Sequence, residues 1–141
     1  MRRTLKITLA AIGGTTIALA VGCVVLLSAF EDGMCRNTPL QTIKSPDSRL
    51  KAVFFERDCG ATTSFSSQLS IIASNDSLPN EGGNVFIADF PAGQSAISQE
   101  GPAIAISWIN PMTIAVTYES SARIFKMNEK VGGIRVTYLK Q

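Results

Sequence analysis

The stretch IAISWINPMTIAVTY, residues 104–118, decides the fold class. Its first half alternates with a period of two: Ile104, Ile106 and Trp108 fall on one face, Ala105 and Ser107 on the other. "NPM" (Asn110 to Met112) turns the chain, and Ile114, Val116 and Tyr118 repeat the pattern on the return. Period-two alternation is the signature of a half-buried strand, and two such runs around a short turn read as a hairpin.

The same reading extends in both directions. Arg123–Lys126 and Gly133–Leu139 supply two further strands, the second with Ile134, Val136 and Tyr138 on a common face. Upstream, Val85–Asp89 is a short strand. Phe65, Leu69 and Ile71 share a face with Ser67, while Ser66, Gln68 and Ser70 take the other, which predicts a half-buried strand. Leu50–Arg57 is an apolar, aromatic strand preceded by the turn "SPDSR", residues 45–49. Two longer loops, 73–84 and 90–102, are rich in turn formers. Together these runs predict an all-β domain over residues 50–141. Its six to seven strands form a small antiparallel meander closing into a sandwich or partial barrel. Residues 31–49 read as a connector, with Pro39 breaking any helix.

The N-terminus reads differently. From Ile7 to Phe30 there are 24 residues without a charge. As a helix they would be about 36 Å long, enough to cross a hydrocarbon core of about 30 Å. Arg2, Arg3 and Lys6 precede the run; Glu31 and Asp32 follow it. The positive-inside rule therefore predicts a cytoplasmic tip (1–6), a single transmembrane helix (7–30) and a domain exported across the inner, or plasma, membrane. Two processing alternatives stand beside this signal-anchor. One is a cleaved signal peptide, against which the length of the apolar run and Leu27 near its end both argue. The other is lipidation at Cys23, in "AVGC", against which the apolar run continuing after Cys23 argues.

Export sets the reading of charge and cysteines. The tip holds three of the 13 basic residues and no acidic one, leaving ten basic against 11 acidic beyond it. A nearly neutral domain without a basic run argues against nucleic acid as a partner. With Cys23 inside the span, Cys35 and Cys59 remain as an even pair in an oxidising compartment, which predicts a disulfide.

No histidine occurs, so the commonest general base, the commonest metal ligand and every Ser-His or Cys-His pair are missing. No C-x-x-C, P-loop, G-x-G-x-x-G or EF-hand pattern is present. No metal, cofactor or catalytic set is therefore expected. The sharpest local feature is "ERDCGATT", residues 56–63. Cys59 there is either the disulfide partner of Cys35 or a thiolate assisted by Arg57, and Thr62 and Thr63 either bond the backbone or line an anion-binding turn. "LPNEGGN", residues 78–84, is either ordinary turn chemistry or a ligand loop presenting Glu81 and Asn84. Arg57, Asp58, Thr62, Thr63, Glu81 and Asn84 are thus the candidate binding-loop residues.

The runs SPDSRLKAVFFERDCGATTSFSSQLSI and LPNEGGNVFIAD (residues 45–71 and 78–89) resemble a family of small, uncharacterised bacterial proteins. Members carry an N-terminal membrane segment, a cysteine just after it, an S-P-D-G-K/R turn and an E-R-D-C-G-A-T-T segment. The resemblance spans roughly Cys35 to Tyr138 and matches both cysteines, which supports the disulfide. It departs at Ser48 and Ser64, where glycine is expected. It implies a membrane address and an architecture, but no activity. The function expected is a non-enzymatic binding or interaction domain outside the cytoplasm, whose partner is an envelope protein or a small ligand. The alternatives are an envelope enzyme using Arg57, Asp58 and Cys59 with Glu81, and a structural component of a membrane assembly.

Overall fold

The computed structural model describes residues 19–23, 35–60, 65–90, 97–98, 101–102 and 104–141. The chain divides into two units, residues 1–34 and 35–141. In the first, residues 19–23 are helical. The rest of the expected 7–30 span lies outside the described residues, and among those described no helix is long and apolar enough to cross a membrane.

The second unit is built of strands. They are β1 (Arg36–Lys44), β2 (Leu50–Asp58), β3 (Ser66–Ala73), β4 (Phe86–Asp89), β5 (Ile97–Ser98), β6 (Gly101–Pro102), β7 (Ile104–Asn110), β8 (Thr113–Tyr118), β9 (Arg123–Met127), β10 (Lys130–Val131) and β11 (Ile134–Lys140). One sheet has the order β1-β2-β3-β4-β9, a second β10-β11-β8-β7, and β5 pairs with β6. The hairpin read from residues 104–118 is present as β7–β8, with Ile104 opposite Tyr118 and Ile106 opposite Val116.

Both larger sheets turn apolar faces to one core. Ala52, Phe54, Leu69, Ile71, Phe86 and Ala88 come from the first; Ile104, Ile106, Ile114, Val116, Ile134 and Val136 come from the second. Phe86 joins them most directly, its ring 5.6 Å from that of Tyr118 and 5.9 Å from that of Tyr138. Trp108 is half-buried, and its indole N–H donates to the Ile43 carbonyl at 3.1 Å, linking β7 to β1.

Three expectations need correction. The all-β class holds, but the described residues form eleven strands rather than six or seven, and β8 and β11 run parallel. The parallel pair follows from the route of the chain: β9 crosses to the other sheet before β11 returns beside β8, supplying the crossover that a parallel pair requires. Second, the connector over 31–49 contains β1, whose Leu40 and Ile43 pack on the core. Pro39 is tolerated because β1 is an edge strand and its register shifts between Pro39 and Gln41. Third, β3 is buried on both faces rather than one, with Ser67, Gln68, Leu69, Ser70 and Ile71 all inaccessible. Its second face, shared with Val53 and Phe55 of β2, is reached by the loop over residues 75–84, whose Gly83 and Asn84 N–H groups donate to Gln68 and Ser70.

The turn between β1 and β2 forms as read. The Ser45 hydroxyl donates to Asp47 Oδ1 at 2.7 Å and accepts the Leu50 N–H at 3.0 Å. That hydroxyl, with the Arg49 guanidinium, pulls the Asp47 carboxyl down to about 2. Ser48 has φ = 57°, the left-handed region, which explains why glycine is the residue expected there. A left-handed L-residue costs about 1–2 kcal/mol, and glycine costs part of that again in unfolded-chain freedom. Ser48→Gly is therefore expected to raise stability by just under about 1 kcal/mol, seen as a higher denaturation midpoint at unchanged slope.

Candidate functional site

The two motif-bearing runs meet on the outer face of β1–β2–β3, joined by residues whose side chains are occupied with one another. Cys35 and Cys59 form a disulfide one step beyond the Arg36–Asp58 pair, at the open end of the β1–β2 hairpin. Arg57 is buried on the outer face and donates through Nη1 to Asn37 Oδ1 at 2.8 Å. Asn37 in turn donates through Nδ2 to the carbonyls of Pro79 and Glu81, at 2.9 and 2.8 Å. Asn80 Nδ2 donates to the Cys35 carbonyl at 2.9 Å. The loop is thereby laced to the disulfide end of the sheet.

Its other end is fixed as closely. Gly83 N–H donates to Gln68 Oε1 at 2.6 Å. Asn84 replaces a strand residue: its Oδ1 accepts the Ile71 N–H and its Nδ2 donates to the Ile71 carbonyl, both at 2.9 Å. One primary amide so satisfies both main-chain groups of Ile71, which would otherwise lie unpaired beside a buried strand. The Asn84 carbonyl accepts from Asn128 Nδ2, and Lys126 Nζ donates to the Gly83 carbonyl.

Among the candidate residues, Arg57 and the Glu81 backbone are thus brought together through Asn37, whereas the Glu81 carboxylate has no hydrogen bond or ion pair among the described residues. Asp58 Oδ1 accepts the Gly60 N–H at 2.9 Å, an ordinary Asx turn. Asn84 serves β3, away from that cluster. Thr62 and Thr63 lie outside the described residues. The thiolate reading of Cys59 is corrected, because its sulfur is bonded to Cys35. Among the described residues no three His, Cys, Asp or Glu side chains gather into a metal-binding group. Sequence reading missed Asn37, Asn80 and Gln68. No sequence signal marks them: Gln68 falls on the face of β3 that alternation assigns to solvent, and Asn37 lies in a segment without a strand pattern.

A separate, open depression of about 1030 Å3 lies where the β7–β8 turn, β9 and the β10–β11 hairpin adjoin. Met112, Thr113, Met127, Glu129, Lys130 and Arg135 are among the side chains lining it, and both methionines are exposed. The Tyr138 hydroxyl donates to the Asn128 carbonyl at 2.8 Å; burial, with Glu129 and Tyr118 nearby, pushes its pKa up to about 12. No family model, curated protein or solved structure matches the chain.

Proposed function

We propose that the chain is a single-pass, membrane-anchored protein whose extracytoplasmic β domain is a non-enzymatic interaction module. The observation that carries this reading is the fate of the reactive side chains. Cys59 is in a disulfide, while Arg57 and Asn84 hold the 75–84 loop on the sheet. What the described surface does offer is a broad depression edged with adaptable thioethers and mixed charge, features suited to contact rather than chemistry. The anchor rests on the uncharged run 7–30 and the basic residues before it. Membership of the uncharacterised bacterial family rests on the two quoted runs.

The test is photo-cross-linking in cells, with a photoreactive amino acid replacing Met112 in the depression or, as a control, Asp76 in the exposed loop. A reproducible adduct from position 112 and none from position 76 is expected. If a scan of exposed positions around the whole domain yields no adduct at all, the interaction reading fails.

A further inference from the structure

We propose that the depression beside the β10–β11 turn docks an extended segment of a partner protein carrying an acidic side chain next to an apolar one. This deepens the interaction-module reading and rests on it. β10 and β11 pair antiparallel, with Lys130 opposite Arg135 and Val131 opposite Ile134, so Gly132 and Gly133 alone make the turn. Their φ angles of 55° and 87° are those of a tight two-residue hairpin of the I′ type. Residues directly opposite in such a ladder project from the same face, with Cβ atoms roughly 5 Å apart.

Two cations are therefore held side by side. Arg135 is exposed between buried Ile134 and Val136, and Lys130 is exposed as well. Among the described residues neither side chain has an ion pair or hydrogen bond, whereas Arg49 and Arg123 pair with Asp47 and Asp89. Like charges set directly opposite destabilise a sheet. An anion placed between them turns that repulsion into two charge-assisted contacts.

The rest of the depression narrows the ligand. Among the described residues Glu129 is its one carboxylate, so Lys130, Arg135 and Glu129 together leave a single net positive charge. That suits one carboxylate and disfavours a polyphosphate or nucleic acid. Met112 and Met127 offer apolar contact on the same concavity, and the Arg135 N–H donates to the Met112 carbonyl at 2.9 Å, fixing the β7–β8 turn against β11. At about 1030 Å3 and open to solvent, the space exceeds what a small carboxylate needs and suits a length of chain.

The full-length chain in detergent micelles is titrated with a fluorescein-labelled hexapeptide bearing one glutamate flanked by leucine and phenylalanine, read by anisotropy. Replacing the glutamate with glutamine, or using Lys130→Gln/Arg135→Gln protein, is expected to weaken binding at least about tenfold. Met112→Ala/Met127→Ala should weaken it several-fold while keeping the preference for glutamate. Lys130→Glu should lose binding yet melt no lower than wild type, since the opposed cations become an attractive pair. Equal binding of the glutamate and glutamine peptides, or full binding by the double-glutamine protein, overturns the proposal. So does displacement of the peptide by laurate at a far lower concentration than the peptide itself requires, which would assign the site to a lipid-like carboxylate. A cellular adduct at position 112 that survives Lys130→Glu/Arg135→Glu would leave the interaction module standing and remove only this chemistry.

Discussion

Replacing Gly83 with alanine is expected to lower the stability of the β domain by about 3 kcal/mol, an effect at the upper end for an added methyl group. The new Cβ would stand 2.9 Å from the carbonyl oxygens of Leu69 and Phe86 and 3.1 Å from Gln68 Cβ. Two of these three neighbours are main chain, so no side-chain rotation relieves them. The Leu69 carbonyl also accepts the Val85 N–H at 3.0 Å, and withdrawing it would open the join between β3 and β4. Moving Gly83 instead would strain its bonds to Gln68 and Lys126. Gly82→Ala is the control: its Cβ would meet only Gln68 Oε1 at 3.7 Å and Ile87 Cδ1 at 3.8 Å, both ordinary contacts. Chemical denaturation of the two variants should separate them by more than about 2 kcal/mol. A difference within about 0.5 kcal/mol would mean the loop does not lie against β3 as described.

The close seat of Gly83 also shows where sequence reading stops. Alternation over residues 104–118 and 134–138 exposes strands because each has one wet face, and there the expected faces are the observed ones. β3 defeats the same rule. Ser66, Gln68 and Ser70 look solvent-facing by type, yet Gln68 and Ser70 are buried because a loop made of turn-forming residues supplies their hydrogen bonds. Composition cannot show that a polar loop is a cover for a polar strand face, since both read as exposed. Pro39 misleads in the opposite direction: it rules out helix, but an edge strand with a register shift accommodates it. The parallel β8–β11 pair was equally hidden, because each strand's pattern is indifferent to which neighbour it takes. As for the candidate site, Arg57 of "ERDCGATT" and the Pro79–Glu81 backbone of "LPNEGGN" do meet in space. Their meeting point, Asn37, lies in a segment with no strand pattern, and the bonds they form tie the loop to the sheet.

Cys59→Ser, or reduction of the wild-type protein, is expected to cost about 3.5 kcal/mol, the chain-entropy value for a closed loop of this length. The loss should be local before it is global. The Cys35 carbonyl accepts Asn80 Nδ2, and Asn37, two residues on, carries both the Arg57 contact and the bonds to Pro79 and Glu81. Freeing Cys35 therefore frays β1 from its Arg36–Asp58 end and slackens the loop laced to it. The opposite end of the hairpin stays closed by Ser45, Asp47 and Leu50. Hydrogen exchange should accordingly quicken at residues 36–39 and 79–84 and remain unchanged at 45–50, and adding reductant to Cys59→Ser should change nothing further. If the reduced protein keeps its full stability, the Arg57–Asn37 contacts suffice and the disulfide is not the staple of this end of the sheet. Reduction also offers the fairest trial of the enzyme alternative, because it returns Cys59 as a thiol beside Arg57 and Asp58. A reduced thiol that alkylates no faster than an ordinary exposed cysteine would show that the segment gives it no special reactivity, leaving Arg57 explained by the loop it holds.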